Sequence, residues 1–277
     1  RDSVASRGLG DVYKRQPFNN VTVSPTGRMQ ICCISEHNFT FDSNKRHINE
    51  FKDINEWFHG PYMNKIRDAM LNGKYLKECA GCYKLEKLDR QSLRNWENDL
   101  YLKNNSSAPL DKIELNQLNV KFGNKCNLKC KMCFPYSSSE LWKEWKELGW
   151  NINDPNKGGN WKYYDSYYEE DYDWPTKKEN LDKLKAMAQF CNRVHFTGGE
   201  PMISPALFRW LKHCIDKKYS KDIDLEIVTN GTKIHPRFCM MAEQFKSITI
   251  HLSIDGLDNT YDSVSYTHLT LPTNREV

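Results

Sequence analysis

The chain has 277 residues, 27% of them charged, a net charge of +4 and a low mean hydropathy. That length can bury a sizeable core as one large domain or two small ones, while no apolar run approaches the roughly 20 residues of a membrane-spanning helix. The basic residues are spread rather than gathered into a stripe, which argues against a nucleic-acid surface, and no signal-peptide pattern opens the chain; a cytoplasmic protein with no membrane partner is expected.

Residues 1–16 and 265–277 lack apolar periodicity and read as foreign tails rather than parts of the fold. The first carries four basic and two acidic residues, so without it the net charge falls from +4 to +2. Val21–Val23 and Met29–Ile34 read as short strands joined by a turn at Ser24-Pro25-Thr26-Gly27. Tyr62–Leu71 reads as a helix with Met63, Ile66, Ala69 and Met70 on its apolar face and Gly73 beyond its end. Cys79-Ala80-Gly81-Cys82 follows and leads into a charged helix to about Asp99. Asn104–Pro109 is a linker, dividing a small cysteine-bearing α+β module (17–103) from a larger segment (110–264).

In the larger segment strands and helices alternate. Strands are expected at Ile113–Phe122, Arg193–Thr197, Leu225–Thr229 and Ser247–Ile254. Helices are expected at Ser138–Leu148, from a Thr176/Glu179 capping box to Phe190, at Ser204–Lys218 and at Pro236–Phe245. Between the first two helices lies an insertion, Gly149–Pro175, rich in Tyr, Trp, Asp and Glu. Repeated βαβ units make a parallel sheet, whose reactive groups gather at the C-terminal strand ends. Each expected strand ends in a polar or glycine-rich signature: Cys126–Cys133, Thr197–Pro201, Thr229–Thr232 and Ser253–Gly256.

Ten cysteines is many for a cytosolic chain, and seven fall into three groups. Such grouping points to metal binding or catalysis rather than disulfides. Cys126-x3-Cys130-x2-Cys133 puts three thiolates on one tight loop. Iron–sulfur cubanes are normally held by four, so three leave one iron open to chelate an amine and a carboxylate. A zinc ribbon pairing Cys79/Cys82 with Cys130/Cys133 is the plainer alternative, but such pairs lie about 15–20 residues apart and these are more than twice as far.

The triplet after a first strand, with Gly198-Gly199-Glu200-Pro201 ending the second, resembles the radical S-adenosylmethionine (SAM) superfamily from about Ile113 to Asp262. That resemblance implies a partial (β/α)6 barrel, cut after about four strands, and a [4Fe-4S] cluster held by Cys126, Cys130 and Cys133. It implies that SAM is cleaved to a 5′-deoxyadenosyl radical that abstracts hydrogen from substrate, with electrons from a flavodoxin or ferredoxin. It also implies roles by position. Gly198 and Gly199 admit the methionine group and Glu200 lies near its ammonium, while Asn230, Ser253 and Asp255 contact its carboxylate or the ribose. The family's aromatic before the third cysteine is here Met132, with Phe134 after.

Gly27-x4-Cys32 with Cys79-x2-Cys82 resembles parts of the SPASM and twitch auxiliary-cluster modules. This implies a second iron–sulfur site on Cys32, Cys79 and Cys82, with a fourth cysteine missing near Pro17 and a peptide or protein as the substrate. Cys33 can replace Cys32, because side chains alternate across a strand and only one of the two should face the cluster, and structural zinc on four thiolates is the alternative. Cys191, Cys214 and Cys239 read as buried small hydrophobes, His195 and His251 as packed strand residues. The Trp161–Trp174 stretch reads as a mobile aromatic loop or a cover over substrate.

Overall fold

A computed structural model describes residues 14–35, 46–104, 112–147, 171–256 and 263–265. Its centre is a six-stranded sheet in the order β2-β1-β3-β4-β5-β6. The strands are β1 (Asn20–Val23), β2 (Met29–Gln30), β3 (Gln117–Lys121), β4 (Arg193–Thr197), β5 (Asp224–Thr229) and β6 (Ser247–Leu252). All pairings are parallel except β1–β2. This is the mixed α/β fold the sequence implied, with one addition. β1 and β2, read as belonging to a preceding module, extend the sheet formed by β3–β6.

The N-terminal segment also carries α1 (Gln16–Asn19), α2 (Ile54–Phe58), α3 (Pro61–Leu71), α4 (Ala80–Glu86) and α5 (Leu93–Asn104). The larger segment adds α6 (Ser139–Glu147), α7 (Lys178–Met187), α8 (Pro205–Asp216) and α9 (Pro236–Ala242). Gly73, at φ +66°, ends α3 as expected. Its N–H bonds to Met70 O and that of Lys74 to Ala69 O, a Schellman closure of the free carbonyls. Among the described residues no helix is long and apolar enough to cross a membrane.

Side chains alternate across a strand, and here the two faces differ sharply. Leu118, Val120, Val194, Phe196, Leu225 and Ile227 are all 0–1% exposed. They share one core with Leu181 and Leu184 of α7, Leu207 and Trp210 of α8 and Phe238 of α9. Trp210 packs edge-on against Phe196 at 5.0 Å and donates to Leu184 O. Each such side chain contributes roughly 1.5–3 kcal/mol. The opposite face is polar apart from Val228. Asn20, Gln117, Arg193, Asp224 and Ser247 form one row; Thr22, Asn119, His195, Glu226 and Thr249 form the next.

Several expectations need correction. The strand from Met29 stops at Gln30, and Cys32–Ile34 lie in a bend and turn, so strand alternation does not decide between Cys32 and Cys33. The first core strand begins at Gln117, not Ile113, which is 46% exposed. The single charged helix is two, broken between Glu86 and Leu93 where Asp89 adopts φ +53°. The capping box does not form, because Thr176 sits in a 3-10 turn and its hydroxyl donates to Asp173 O. Cys239 is exposed, since α9 turns Phe238, Met241 and Ala242 inward. Trp174 belongs to no surface loop: it is fully buried, with its indole N–H on Pro25 O at 3.0 Å. Residues 149–170 of the insertion and residues 105–109 of the linker lie outside the described residues. Lys14, Arg15 and Gln16, the end of the first expected tail, are 0–4% exposed.

Candidate active site

The strand ends meet through backbone. Gly198, at φ +128°, and Gly199 follow β4 and lie against the segment leading to Cys126. The Gly199 N–H bonds to Gly123 O and that of Glu200 to Lys125 O at 2.8 Å. A Cβ on Gly199 would stand 2.1 Å from Lys125 O, so only glycine allows this approach. Both glycines thus face protein backbone in this structure.

Glu200 is 3% exposed, and its carboxylate is held by three donors. Oε1 accepts from Met202 N–H and the Thr229 hydroxyl, and Oε2 from Asn230 N–H at 2.8 Å. A carboxylate has about four lone-pair sites, so Oε2 keeps one. The Asn230 side chain donates to Asn127 Oδ1 at 3.0 Å and lies 4.0 Å from Cys126 Sγ. Asn127 in turn donates to Thr232 Oγ1 at 2.8 Å. The cysteine loop is therefore stitched to the ends of both β4 and β5. Asn127, Thr229 and Thr232 lay inside the strand-end signatures read from the sequence, which gave none of them a role of its own.

Cys126, Cys130 and Cys133 are free, half-buried thiols. Cys126 is pushed up by burial, and Leu128 N–H donates to its sulfur at 3.5 Å. Cys130 and Cys133 share a hydrogen bond that brings Cys130 down to about 7 and pushes Cys133 up. Asp255 is near enough to raise both. Ser253 extends β6, its N–H on Thr229 O, and Ser253 and Asp255 are exposed. The Cys130 thiol also bonds to the Ser265 side chain. Among the described residues no set of three or more His, Cys, Asp or Glu side chains is spaced as a formed metal-ligand group. The donor chemistry of this loop nonetheless fits an iron–sulfur cluster, with three partly accessible thiols on one short loop.

A second thiol group lies beneath the N-terminal segment. Cys32, Cys79 and Cys82 are 1–2% exposed and surround Lys14, whose ammonium sits 2.9 Å from Cys32 Sγ. Burial alone would lower Lys14, but the three sulfurs outweigh it and hold it above its ordinary value. Burial drives Cys79 up to about 12. Cys33 is half-buried, driven up to about 11 by burial and by Cys32.

The polar sheet face lines a cavity of ≈ 400 Å³ whose wall includes Cys32, Cys33, Trp96, Glu97, His195 and His251. Arg193 crosses it, bidentate to Glu226 at 2.8 and 3.1 Å and 3.4 Å from Glu97. The signal was present in the sequence. Gln117-x-Asn119-x-Lys121, Arg193-x-His195-x-Thr197 and Ser247-x-Thr249-x-His251 repeat polar residues at the strand period, whereas strands buried on both faces read as continuous apolar runs.

Residues 120–270, more than half of the chain, match the family model described as the Radical SAM superfamily. Comparison with curated proteins and with solved structures gives no match.

Proposed function

The chain belongs to the radical SAM superfamily, and from that premise we propose that it is an oxidoreductase or maturase acting on a peptide or protein. The observation that carries the reading is the stitched mouth: a three-thiol loop bonded to Gly198-Gly199-Glu200 and to Asn230. A [4Fe-4S] cluster and SAM, when bound, supply a carbon radical able to take hydrogen from an unactivated position.

The rest is the work of this chain's residues. Cys126, Cys130 and Cys133 hold the cluster. The Gly198-Gly199 backbone fixes the distance between the cysteine loop and β4. Glu200, held by three donors, offers its remaining lone pair to the methionine ammonium. Asn230, Ser253 and Asp255 border the same mouth and take the carboxylate and ribose. Cys32, Cys79 and Cys82 form an auxiliary iron–sulfur site in a SPASM- or twitch-like segment, with Lys14 standing where a fourth donor belongs. Electrons come from a flavodoxin or ferredoxin, in the cytoplasm, where the ten free cysteines stay reduced.

The test is iron, zinc and sulfide analysis with EPR on anaerobically reconstituted, dithionite-reduced protein, before and after SAM. A cubane signal altered by SAM is expected. Cys130→Ala should abolish SAM cleavage, whereas Cys82→Ala should lower iron content and leave cleavage. Zinc without iron, or a signal indifferent to SAM, would reject the reading.

A further inference from the structure

The charged side chains on the cavity wall engage one another. Arg193 spends its guanidinium on Glu226 and Glu97, and those carboxylates are occupied by it in return. Lys121, on the same face, lies beside Cys33 and Cys32. Burial keeps His195 below its ordinary range, and it meets the His251 ring edge-on at 6.5 Å. What remains for a ligand is neutral. Asn20 and Gln117 are paired in one register row, with Asn119 beside Thr22 and His195 in the next. Asn119 Oδ1 is buried without a hydrogen-bond partner, a state that costs roughly 1–3 kcal/mol until a donor arrives. Trp96, 42% exposed, borders the cavity and lies over Arg193 at 5.7 Å.

We propose that this cavity recognises an uncharged, amide-bearing stretch of a peptide, with Asn119 as the residue that determines specificity. Each carboxamide offers paired donors and an acceptor, the complement of another amide. A volume of ≈ 400 Å³ lies within the roughly 300–1,000 Å³ of small-ligand sites. An anionic ligand finds no unpaired guanidinium here, and a cationic one would compete with Arg193 for its carboxylates. This inference deepens the proposed peptide-directed activity and rests on it.

The test uses the full chain labelled with 5-fluorotryptophan, the Trp96 resonance being assigned by its loss in Trp96→Phe. It is titrated with acetyl-Gly-Asn-Gly-amide, the Asp and Lys counterparts, and glucose. The Asn peptide should shift the Trp96 resonance saturably, with the other three at least tenfold weaker. Asn119→Leu should weaken the Asn peptide at least tenfold, and the isosteric Asn119→Asp should turn preference toward the Lys peptide. No shift with the Asn peptide, equal or tighter binding of any other probe, or indifference to both substitutions overturns the proposal. The SAM-dependent EPR change, measured on the same samples, separates the two failures. If it persists without peptide binding, the cavity assignment falls alone; if it is lost while binding persists, the enzyme reading falls.

Discussion

Replacing Gly199 by alanine puts a methyl group 2.1 Å from Lys125 O, 2.5 Å from Lys125 C and 2.6 Å from Asn124 C. All three are backbone atoms, and none can swing aside as a side-chain tip can. To restore ordinary contact the β4 end and the cysteine loop must part by about an ångström, and overpacking of this kind costs roughly 1–3 kcal/mol. The same movement stretches the Gly199 N–Gly123 O bond of 3.2 Å and the Glu200 N–Lys125 O bond of 2.8 Å, worth about 1 kcal/mol each. The expected loss is therefore about 3–5 kcal/mol, a large share of the roughly 5–15 kcal/mol by which domains are stable. Urea denaturation followed by circular dichroism measures it: with a slope near ~3 kcal/mol/M the midpoint should fall by about 1 M or more. Gly73→Ala is the control. Gly73 shares a positive φ but has nothing within 4 Å of a Cβ, so the change costs only the left-handed backbone penalty, about 1 kcal/mol. Reconstituted Gly199→Ala should also hold less iron, whereas Gly73→Ala should load normally. A Gly199→Ala midpoint equal to that of Gly73→Ala would refute the argument that the two loops are held at contact distance.

Other outcomes follow from the same geometry. Burial, ahead of Glu226, already holds the Glu97 carboxyl above its ordinary range, with Arg193 pulling it back. Arg193→Met should raise it further, so the folded state keeps a proton that the unfolded chain has released. Stability is then lost as pH rises from the unfolded carboxylate range through the folded value. The penalty relative to the parent should be smaller at pH 5 than at pH 7.5 by about 1 kcal/mol, and a pH-independent penalty would count against this. Lys14→Cys replaces the ammonium among Cys32, Cys79 and Cys82 by a fourth thiolate, so the auxiliary iron of the reconstituted protein should resist a chelator for longer than the parent's; equal loss rates would remove Lys14 from that position. Thr232→Val deletes the acceptor of Asn127 and should cost about 1 kcal/mol while broadening the reduced cluster's EPR signal; identical spectra would detach the clamp from the cluster loop.

Much of the fold was legible because its signals are local. Arg193–Thr197 was read to the residue, since a β-branched and aromatic run there is bounded by an Asn before and glycines after. The end of α3 was legible in Gly73. The core helices were read a residue or more long at their ends, where no cap sharpens the boundary. What escaped depends on partners distant in sequence. Nothing in Asn20–Val23 says that it pairs with Gln117–Val120, and nothing near Trp174 says that Pro25 O awaits its N–H. The site divides in the same way. The three cysteines and the Gly-Gly-Glu loop announced themselves by spacing and composition, whereas the Asn127–Asn230–Thr232 clamp is assembled from two strand ends. The polar sheet face was visible as a period-two pattern, but its meaning appears only when five strands set the rows side by side.

The two edges of the sheet are unequal. At one, β2 offers only Met29 and Gln30 and runs antiparallel to its neighbour. At the other, β6 has all six residues exposed, with Ile248, Ile250 and Leu252 38–51% accessible, and among the described residues it pairs only with β5. A long apolar edge is a template for another strand and a two-residue edge is a poor one. Edge pairing between copies of this chain is therefore self-limiting. Two β6 strands that meet about a two-fold axis use up the long apolar edge that each presents among the described residues, and such an isologous contact closes on itself. Concentrated protein should stop at pairs rather than run on into fibres.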